Sequence, residues 1–212
     1  MKSSELIVGI ILAGGLARRM GGGDKCLLPL GGKTLLQRTI ERAQPQVSQL
    51  LLNANGSSLR FARTRLPVLA DQFPNNLGPL AGVHAGLSWM IAKATNQEWL
   101  MSFASDTPFF PLDVVSKLAV HTVTSPLKSG NAPLIIASSN LQIHPVFSLW
   151  HISLLPKLTS QLQTGEIPRL QEWVKQHKPQ YVDFVVKDYD PFFNINSPQD
   201  LYTAEPLVSL VK

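Results

Sequence analysis

The sequence predicts an α/β fold in which helices cover both faces of a mostly parallel, twisted sheet. Two observations carry this prediction. Apolar runs of strand length recur along the chain, and helical patterns separate most of them. The runs are continuously apolar rather than alternating, which is typical of parallel strands buried on both faces. The predicted strands are residues 6–12, 49–53, 67–70, 99–104, 134–138 and 146–150.

Helix-start signals follow several of these strands. Thr34 and Gln37 have the spacing of a capping box, and the helix that they open is expected to end at Pro45. Proline suits the first turn of a helix, because the N–H groups there have no intrahelical acceptor. The prolines that open three further predicted helices are Pro79, Pro111 and Pro198.

Length and composition indicate one domain. The chain has 212 residues, of which 44% are hydrophobic and 16% charged, enough for one substantial core. We expect a single domain over residues 1–205 and a loosely held tail over 206–212. The lone Cys26 cannot form an internal disulfide, so a reducing, cytoplasmic location is expected. The first apolar run is interpreted as a strand rather than a leader, and no later run is long enough to span a membrane.

The positive charge points to an anionic partner. The formal net charge is +5, and Arg18, Arg19 and Lys25 lie together in one glycine-rich loop. A nucleic-acid surface usually has a longer basic stripe with aromatic residues between its charges. We therefore expect a small molecule that carries phosphates, and not nucleic acid. A second basic group, at residues 60–65, is interpreted as a solvated helix face.

The glycine-rich loop, LAGGLARRMGGGDK at 12–25, directly follows the first predicted strand. Ligands of such sheets bind beyond the carboxyl ends of the strands. Glycines let backbone N–H groups approach phosphate oxygens, and basic side chains neutralise the remaining charge. The loop therefore predicts a polyphosphate site. It is not a Walker A motif, because Leu27 stands at the position of the first glycine, and the Gly-x-Gly-x-x-Gly order is also absent.

Polar side chains end three of the predicted strands. Asn53 and Asp71 are placed to contact a ligand, because strand ends are where such sheets bind ligands and both side chains form hydrogen bonds. Both residue types also favour turns, so a structural role stays open. Asp106, in SDTP, is placed to hold Mg²⁺ between the protein and the phosphates of a ligand. The alternative for Asp106 is an Asx-turn or cap before Pro108.

The late segment NINSP supplies Asn194 and Asn196. Two-residue spacing in extended backbone puts both side chains on one face, where they would reach a phosphate or the outer shell of a metal. Asn196 has an alternative role in shaping the turn before a Ser197 helix cap.

The string LAGGLARRMGGGDKCLLPLGGKTLL at 12–36 strongly resembles the opening of molybdenum cofactor guanylyltransferases, members of the nucleotidyltransferase superfamily. The resemblance continues, in order, at the motifs NAN (53–55), GPLAG (78–82), SDTPFFP (105–111), HPVFSLW (144–150) and DPFFNINSPQDL (190–201). It implies a Rossmann-like sheet of the nucleotide-diphospho-sugar transferase type. One departure is Ser105, where the family commonly has cysteine before the aspartate.

The resemblance implies roles for the residues at matching positions. Backbone contacts to a guanine nucleotide are expected from Leu12, Ala13, Gly14 and Gly15. Catalysis is expected from Arg19, Lys25 and Asp106. The first two would meet the phosphates, unless they belong to a merely solvated loop, and the third would be the Mg²⁺ ligand. Further contacts are expected from Asn53, Asp71, Gly82, Asn194 and Asn196.

Two of the matched positions have mainly structural alternatives. Gly82 would leave room for the second substrate near a helix start, or would serve the packing of helix on sheet. His144 is interpreted as a structural residue or a minor contact on the pterin side, and not as a metal ligand.

The implied reaction is transfer of GMP from Mg²⁺-GTP to the terminal phosphate of molybdopterin, with release of pyrophosphate. The nucleophile is already anionic, so no general base is needed. Transient contacts with other molybdenum cofactor biosynthesis proteins and with molybdoenzyme chaperones are expected. The alternatives are a molybdopterin cytidylyltransferase or sugar-phosphate nucleotidyltransferase of the same fold and, more remotely, a non-catalytic basic module that binds nucleotides or nucleic acid.

Overall fold

The computed structural model describes residues 7–14, 23–74, 77–124 and 134–210. Within these residues, seven strands form one sheet in the order β5-β4-β1-β6-β8-β7-β9, and β2 and β3 form a separate two-stranded ribbon. The strands are β1 (Ile7–Leu12), β2 (Pro29–Leu30), β3 (Lys33–Thr34), β4 (Gln49–Asn53), β5 (Val68–Leu69), β6 (Trp99–Ala104), β7 (Leu134–Ser139), β8 (Gln142–His151) and β9 (Gln180–Asp183). The helices are α1 (Leu35–Ala43), α2 (Pro79–Ala92), α3 (Val114–Thr124), α4 (Leu155–Gln163), α5 (Leu170–Gln176), α6 (Pro198–Ala204) and α7 (Leu207–Leu210).

The sheet is mixed, with a parallel half that carries the first motifs. β1 pairs in parallel with β4 and β6, and β4 pairs in parallel with β5. β8 runs antiparallel to both β6 and β7, whereas β9 is parallel to β7. In the register of the parallel half, Leu12 is the partner of both Asn53 and Ala104. Three strands therefore end side by side at one edge of the sheet.

Helices cover both faces of the sheet, and β1 shows how one strand serves both. Its side chains alternate between two apolar clusters: Ile7 and Ile11 join the first, and Val8 and Ile10 join the second. The first cluster includes residues of α1 and α3, and the second includes residues of α2, α4 and α5. The predicted α/β class, with a mostly parallel sheet covered on both faces, is confirmed.

The predicted elements are largely found. The strands at 49–53 and 99–104 have the predicted bounds, and both predicted caps form complete capping boxes, Thr34 with Gln37 and Ser197 with Asp200. Pro79 is the first residue of α2, behind a Gly78 with a φ of +77°. The helix predicted from Pro111 begins later, at Val114. Its start is held by a buried side chain, since Gln46 Oε1 accepts the N–H of Val115 at 3.1 Å.

The strand predicted at 146–150 is longer than expected and contains an irregularity. Ile136 pairs with Ser148 but the next residue, Ala137, pairs with His144, so three residues of β8 lie outside the ladder. They include Pro145, which has no N–H to give to a ladder. Ser102 Oγ donates to the carbonyl of Val146 inside this bulge. The bulge aims Val146 at the carboxyl edge of the parallel strands.

The last helices pack against the β2–β3 ribbon. Leu207 and Val208 of α7 are partly buried against a small cluster that contains Leu30, Phe109 and Ile195. The division into a domain at 1–205 and a tail at 206–212 stays a prediction. Across the described residues, no helix combines the length and apolarity needed to cross a membrane.

Candidate active site

A cavity of about 270 Å³ opens where β1, β4 and β6 end. The sequence-predicted residues that line it are Leu12, Gly14, Lys25, Asn53, Asp71, Asp106 and Asn194. These residues come from widely separated segments, and they meet because parallel strands place their carboxyl ends along one edge. The cavity lies where the sequence predicts a ligand.

Lys25 is the centre of one side of the cavity. Its Nζ lies 2.6 Å from Asp106 Oδ2 and 2.6 Å from Asn196 Oδ1. The side chain is 11% exposed and that of Asp106 is 22% exposed, so the ion pair is largely removed from water. Removing a charged group from water costs free energy, and the ion pair and the hydrogen bond offset that cost. We call Lys25, Asp106 and Asn196 the lysine cluster.

Local structure fixes each member of the lysine cluster. Lys25 opens a short 3₁₀ helix, Lys25–Leu27, and Asp106 follows the end of β6. The N–H of Ile195 donates to the carbonyl of Asp106 at 2.9 Å, which ties the late loop to that strand end. Asp200 Oδ2 accepts the N–H groups of Asn196 and Ser197, each at 2.8 Å. The bond from Asn196 is the main reason that the pKa of Asp200 is lowered. The same carboxylate therefore completes the cap of α6 and positions Asn196.

The opposite side of the cavity is an amide–carboxylate cluster, formed by Asn53, Asn55 and Asp71. Asn53 Nδ2 donates to Asp71 Oδ1 at 2.9 Å, and Asn55 Nδ2 donates to Asp71 Oδ2 at 2.7 Å. The backbone N–H of Asp71 donates in return to Asn55 Oδ1 at 2.8 Å. Each carboxylate oxygen has a second lone pair, so the group still accepts hydrogen bonds from a ligand.

Asn55 is a cavity residue that sequence reasoning missed. The signal was present in the motif NAN, because residues two apart in extended backbone face the same side. Val146 and Ser105 also line the cavity and were not singled out as ligand contacts. Val146 arrives there through the β8 bulge, which the sequence pattern does not reveal.

Gly82 lies buried on α2, directly behind Asn53. A Cβ added at this position would lie 2.3 Å from Asn53 Oδ1 and 2.8 Å from Leu12 Cδ2. Glycine here lets the helix approach the strand ends and leaves room for the amide of Asn53. This supports the packing interpretation, and a contact with a second substrate stays a prediction.

The remaining predicted residues do not all reach the cavity. Ala13 is buried, and its N–H donates to the carbonyl of Asn53 at 2.9 Å. Gly15 and Arg19 lie outside the described residues, so their expected roles on the nucleotide and its phosphates stay predictions. His144 stacks on Phe192, with ring centres 4.3 Å apart.

His144 belongs to a polar group that holds the late loop. Its Nε2 lies 2.7 Å from Ser139 Oγ, and that hydroxyl donates to Asp190 Oδ1 at 3.2 Å. Burial lowers the pKa of His144, although Asp190 opposes the shift, so the ring is neutral near pH 7. The arrangement supports the structural interpretation of this histidine.

Arg60, the first residue of the basic group at 60–65, is exposed as predicted, and it is also ion-paired, because its Nε lies 2.7 Å from Asp24 Oδ2. Arg60 belongs to the short 3₁₀ helix Ser58–Thr64, and its guanidinium reaches the residue directly before Lys25. Arg63 and Arg65 are exposed, as expected.

Cys26 is 1% exposed and adjacent to Lys25 in sequence. Burial, with a smaller contribution from the charge of Asp24, raises the pKa of its thiol to about 12. Only the thiolate is a strong nucleophile, so this cysteine stays unreactive at neutral pH.

The donor chemistry of the cavity suits a hard cation that is shared with a ligand. Among the described residues, no group of three or more His, Cys, Asp or Glu side chains is arranged to hold a metal. Oxygen atoms are the donors that the cavity offers, and beside the lysine cluster they include the carboxylate of Asp106 and the amide of Asn194. Mg²⁺ is commonly bound by one or two carboxylates together with substrate phosphates, and this set fits that pattern.

Known proteins are similar to this chain in sequence and in fold. A family model described as the MobA-like NTP transferase domain matches residues 9–180. The molybdenum cofactor guanylyltransferase of Nitrobacter hamburgensis is 43% identical over 202 residues, which cover 95% of this chain and 94% of that protein. The enzyme of the same name from Rhodopseudomonas palustris is 41% identical over 196 residues, 92% of this chain and 91% of that protein. Molybdopterin-guanine dinucleotide biosynthesis protein A of Archaeoglobus fulgidus superposes with a TM-score of 0.73 at 22% identity, covering 96% of this chain and 99% of that one.

Proposed function

The chain belongs to the molybdenum cofactor guanylyltransferase family, and on that premise we propose that it transfers GMP from GTP to molybdopterin. A phosphate oxygen of molybdopterin attacks the α-phosphorus of GTP. A new phosphoanhydride bond forms, the bond from the α-phosphorus to the bridging oxygen of the β-phosphate breaks, and pyrophosphate leaves. The observation that carries the proposal is the shielded Lys25–Asp106 pair, 2.6 Å apart, on the cavity that the strand ends form.

The lysine cluster supplies the electrostatic part of this reaction. Nucleophile and substrate are both anions, so the protein must bring them into line and neutralise their charge. Lys25 provides an ammonium that is already desolvated, and such fixed charges stabilise a transition state more than they would in water. Asn196 and Asp106 hold that ammonium in place from two sides. No proton needs to be removed from the attacking phosphate.

The amide–carboxylate cluster supplies the choice of base. Guanine presents two neighbouring donors, N1–H and the 2-amino group, and the carboxylate of Asp71 accepts hydrogen bonds of this kind. Cytosine presents acceptors at the corresponding part of its edge, which a carboxylate repels. Asn53 and Asn55 fix the carboxylate, so its lone pairs keep one orientation.

Magnesium is part of the proposal because the donors fit it. Asp106, with the amide oxygen of Asn194, would hold the ion beside the triphosphate. When bound, Mg²⁺ neutralises charge on the phosphates. Leu12 and Gly14 line the same cavity, and their backbone groups are proposed nucleotide contacts.

Product formation tests the proposal directly. The protein is incubated with molybdopterin, Mg²⁺ and GTP, CTP or UTP in turn, and the dinucleotide is identified by mass spectrometry. We expect the guanine dinucleotide and pyrophosphate with GTP. A product formed from CTP in preference to GTP would overturn the choice of base.

A matched pair of variants tests the site. Asp106→Ala is expected to abolish Mg²⁺-dependent pyrophosphate release. Asp113→Ala changes an aspartate whose side chain is 52% exposed and pairs with Lys117 four residues along the chain, so it should retain activity. Equal activity of the two variants would remove Asp106 from the site.

We further propose a cytoplasmic location and transient contacts with other molybdenum cofactor biosynthesis proteins and molybdoenzyme chaperones, which would receive the product.

A further inference from the structure

Arg60 contacts one segment from each side of the cavity. Its Nε is 2.7 Å from Asp24 Oδ2, in the residue directly before Lys25. Its Nη2 donates to the backbone carbonyl of Asn55, a member of the amide–carboxylate cluster. Its Nη1 donates to the carbonyl of Ser57 at 3.0 Å. One guanidinium therefore joins the turn that carries Lys25 to the loop that holds Asp71.

Asp24, the ion-pair partner of Arg60, does not use its side chain to cap the helix that it precedes. Asp24 stands at the N-cap position of the 3₁₀ helix that contains Lys25, where an aspartate often accepts a helix N–H. Its side chain makes no such bond and instead meets Arg60. The carboxylate is 17% exposed and the arginine side chain 31%, so the pair is partly shielded from water.

The surroundings of Arg60 are shaped to the guanidinium. Its central carbon lies 4.7 Å from the ring centre of Phe61, a side chain that is itself buried. Gly56 has a φ of +79°, and a Cβ there would lie 3.1 Å from Arg60 Nη1. A planar fork satisfies an anion on one edge and carbonyls on the other, which the single ammonium of lysine cannot do.

We propose that Arg60 is a positioning residue that couples base recognition to the placement of Lys25. The proposal rests on the proposed function, since it assigns the two sides of the cavity to base and phosphates. Without Arg60, the Lys25 turn and the Asn55 loop lose their shared support, although each cluster keeps its internal hydrogen bonds. The effect is therefore on the alignment of the nucleotide rather than on any contact that Arg60 makes with it.

Three variants separate the two connections of Arg60. Asp24→Asn removes the charge partner and leaves the carbonyl contacts, so kcat should fall while the preference for GTP over ITP is kept. ITP lacks the 2-amino group and therefore reports on base recognition. Arg60→Lys keeps a cation for Asp24 and loses the fork, so kcat should be largely kept while the preference for GTP over ITP falls. Arg60→Ala should lower kcat/KM for GTP by about ten- to a hundredfold, the scale of a small misalignment at a reacting centre.

Arg63→Ala is the matched control, because Arg63 is exposed on the same 3₁₀ helix and its removal changes the net charge equally. Its kcat and its GTP to ITP ratio should equal those of the wild type. Thermal denaturation identifies any variant that fails to fold. If Arg60→Ala is such a variant, the kcat values and GTP to ITP ratios of Asp24→Asn and Arg60→Lys test the proposal instead. Kinetics of Arg60→Ala that match those of Arg63→Ala would overturn the proposal.

The two levels of inference fail in different experiments. A wild-type protein that forms no guanylyl product refutes the proposed function. The coupling is then tested by calorimetry of GTP binding, where Arg60→Ala should bind more weakly than Arg63→Ala by about tenfold, as for one lost hydrogen-bonded support. Equal affinities of these two variants would contradict the coupling whether or not the wild type turns over.

Discussion

The two sides of the cavity are built in different ways. The lysine cluster joins residues 81 and 171 positions apart, and its central contact is an ion pair. The amide–carboxylate cluster joins residues 16 and 18 positions apart through neutral amides and one carboxylate. The first depends on the whole fold to bring its members together. The second needs only two adjacent parallel strands, β4 and β5.

This contrast suggests a division of work. Charge acts at a distance and is insensitive to the identity of a base, so the lysine cluster suits the stabilisation of phosphate charge. Hydrogen bonds depend on direction and on the match of donors to acceptors, so the amide–carboxylate cluster suits discrimination. Changes on the lysine side should therefore act mainly on kcat, and changes on the other side mainly on KM and base preference.

The largest effect is expected from Lys25→Ala. It removes the buried cation and leaves Asp106 without its partner, so kcat for pyrophosphate release should fall by about ten- to a thousandfold. Lys33→Ala is the control, because Lys33 is an exposed lysine that pairs with Glu41. A Lys25→Ala enzyme with the kcat of the wild type would contradict the proposal that the lysine cluster stabilises phosphate charge.

Asp71→Asn tests the other side. Its new NH₂ group would face the donor of either Asn53 or Asn55, which bind different oxygens of the carboxylate, and the guanine edge would lose its anionic acceptor. We expect KM for GTP to rise by about ten- to a hundredfold, the equivalent of one charge-assisted hydrogen bond, with a much smaller change in kcat. Steady-state kinetics with Asp113→Asn as control measure this. A fall in kcat alone would mean that Asp71 acts on the phosphates.

Gly82→Ala sharpens the comparison by disturbing the amide–carboxylate cluster from behind. The new methyl would collide with Asn53 Oδ1, so the free energy of unfolding should fall by about 1–3 kcal/mol and KM for GTP should rise. Gly86→Ala, on the same helix, would place its Cβ 2.7 Å from the flexible side-chain end of Leu100. That control is expected to leave KM unchanged. Urea denaturation and kinetics together separate loss of stability from loss of recognition.

The smallest effect concerns the support of Asn196. Because its pKa is lowered in the folded state, ionised Asp200 stabilises the protein above its unfolded pKa, and this stabilisation is lost as the pH falls through the folded value. At pH 7, Asp200→Asn should cost at most about 1 kcal/mol, the scale of a helix cap. The difference in urea midpoint between wild type and variant should narrow as the pH is lowered from 7 to about 2. A difference in urea midpoint that does not change with pH would show that ionisation of Asp200 does not contribute to stability.

Much of the fold was predictable because it depends on local chemistry. Continuous apolar runs gave the strands of the parallel half, and the spacing from Thr34 to Gln37 gave the start of α1. The same reasoning placed Asp106 at a strand end, where the structure has it. The ribbon β2–β3 and strand β9 were not predicted, because they are only two to four residues long. The helices α4 and α5 were not predicted either, and they are held by packing on the sheet face that also carries α2.

The sequence by itself determined the fold class, the cationic turn and the polar residues at the strand ends, since these follow from backbone preferences and from apolar periodicity. Only the tertiary structure decided how those residues pair. The bond from Asn55 to Asp71, the space that Gly82 leaves for Asn53 and the contact of Arg60 with Asp24 depend on side-chain directions across neighbouring elements. A linear pattern records which residues are present, whereas contact geometry is fixed only when the helices and strands have packed together.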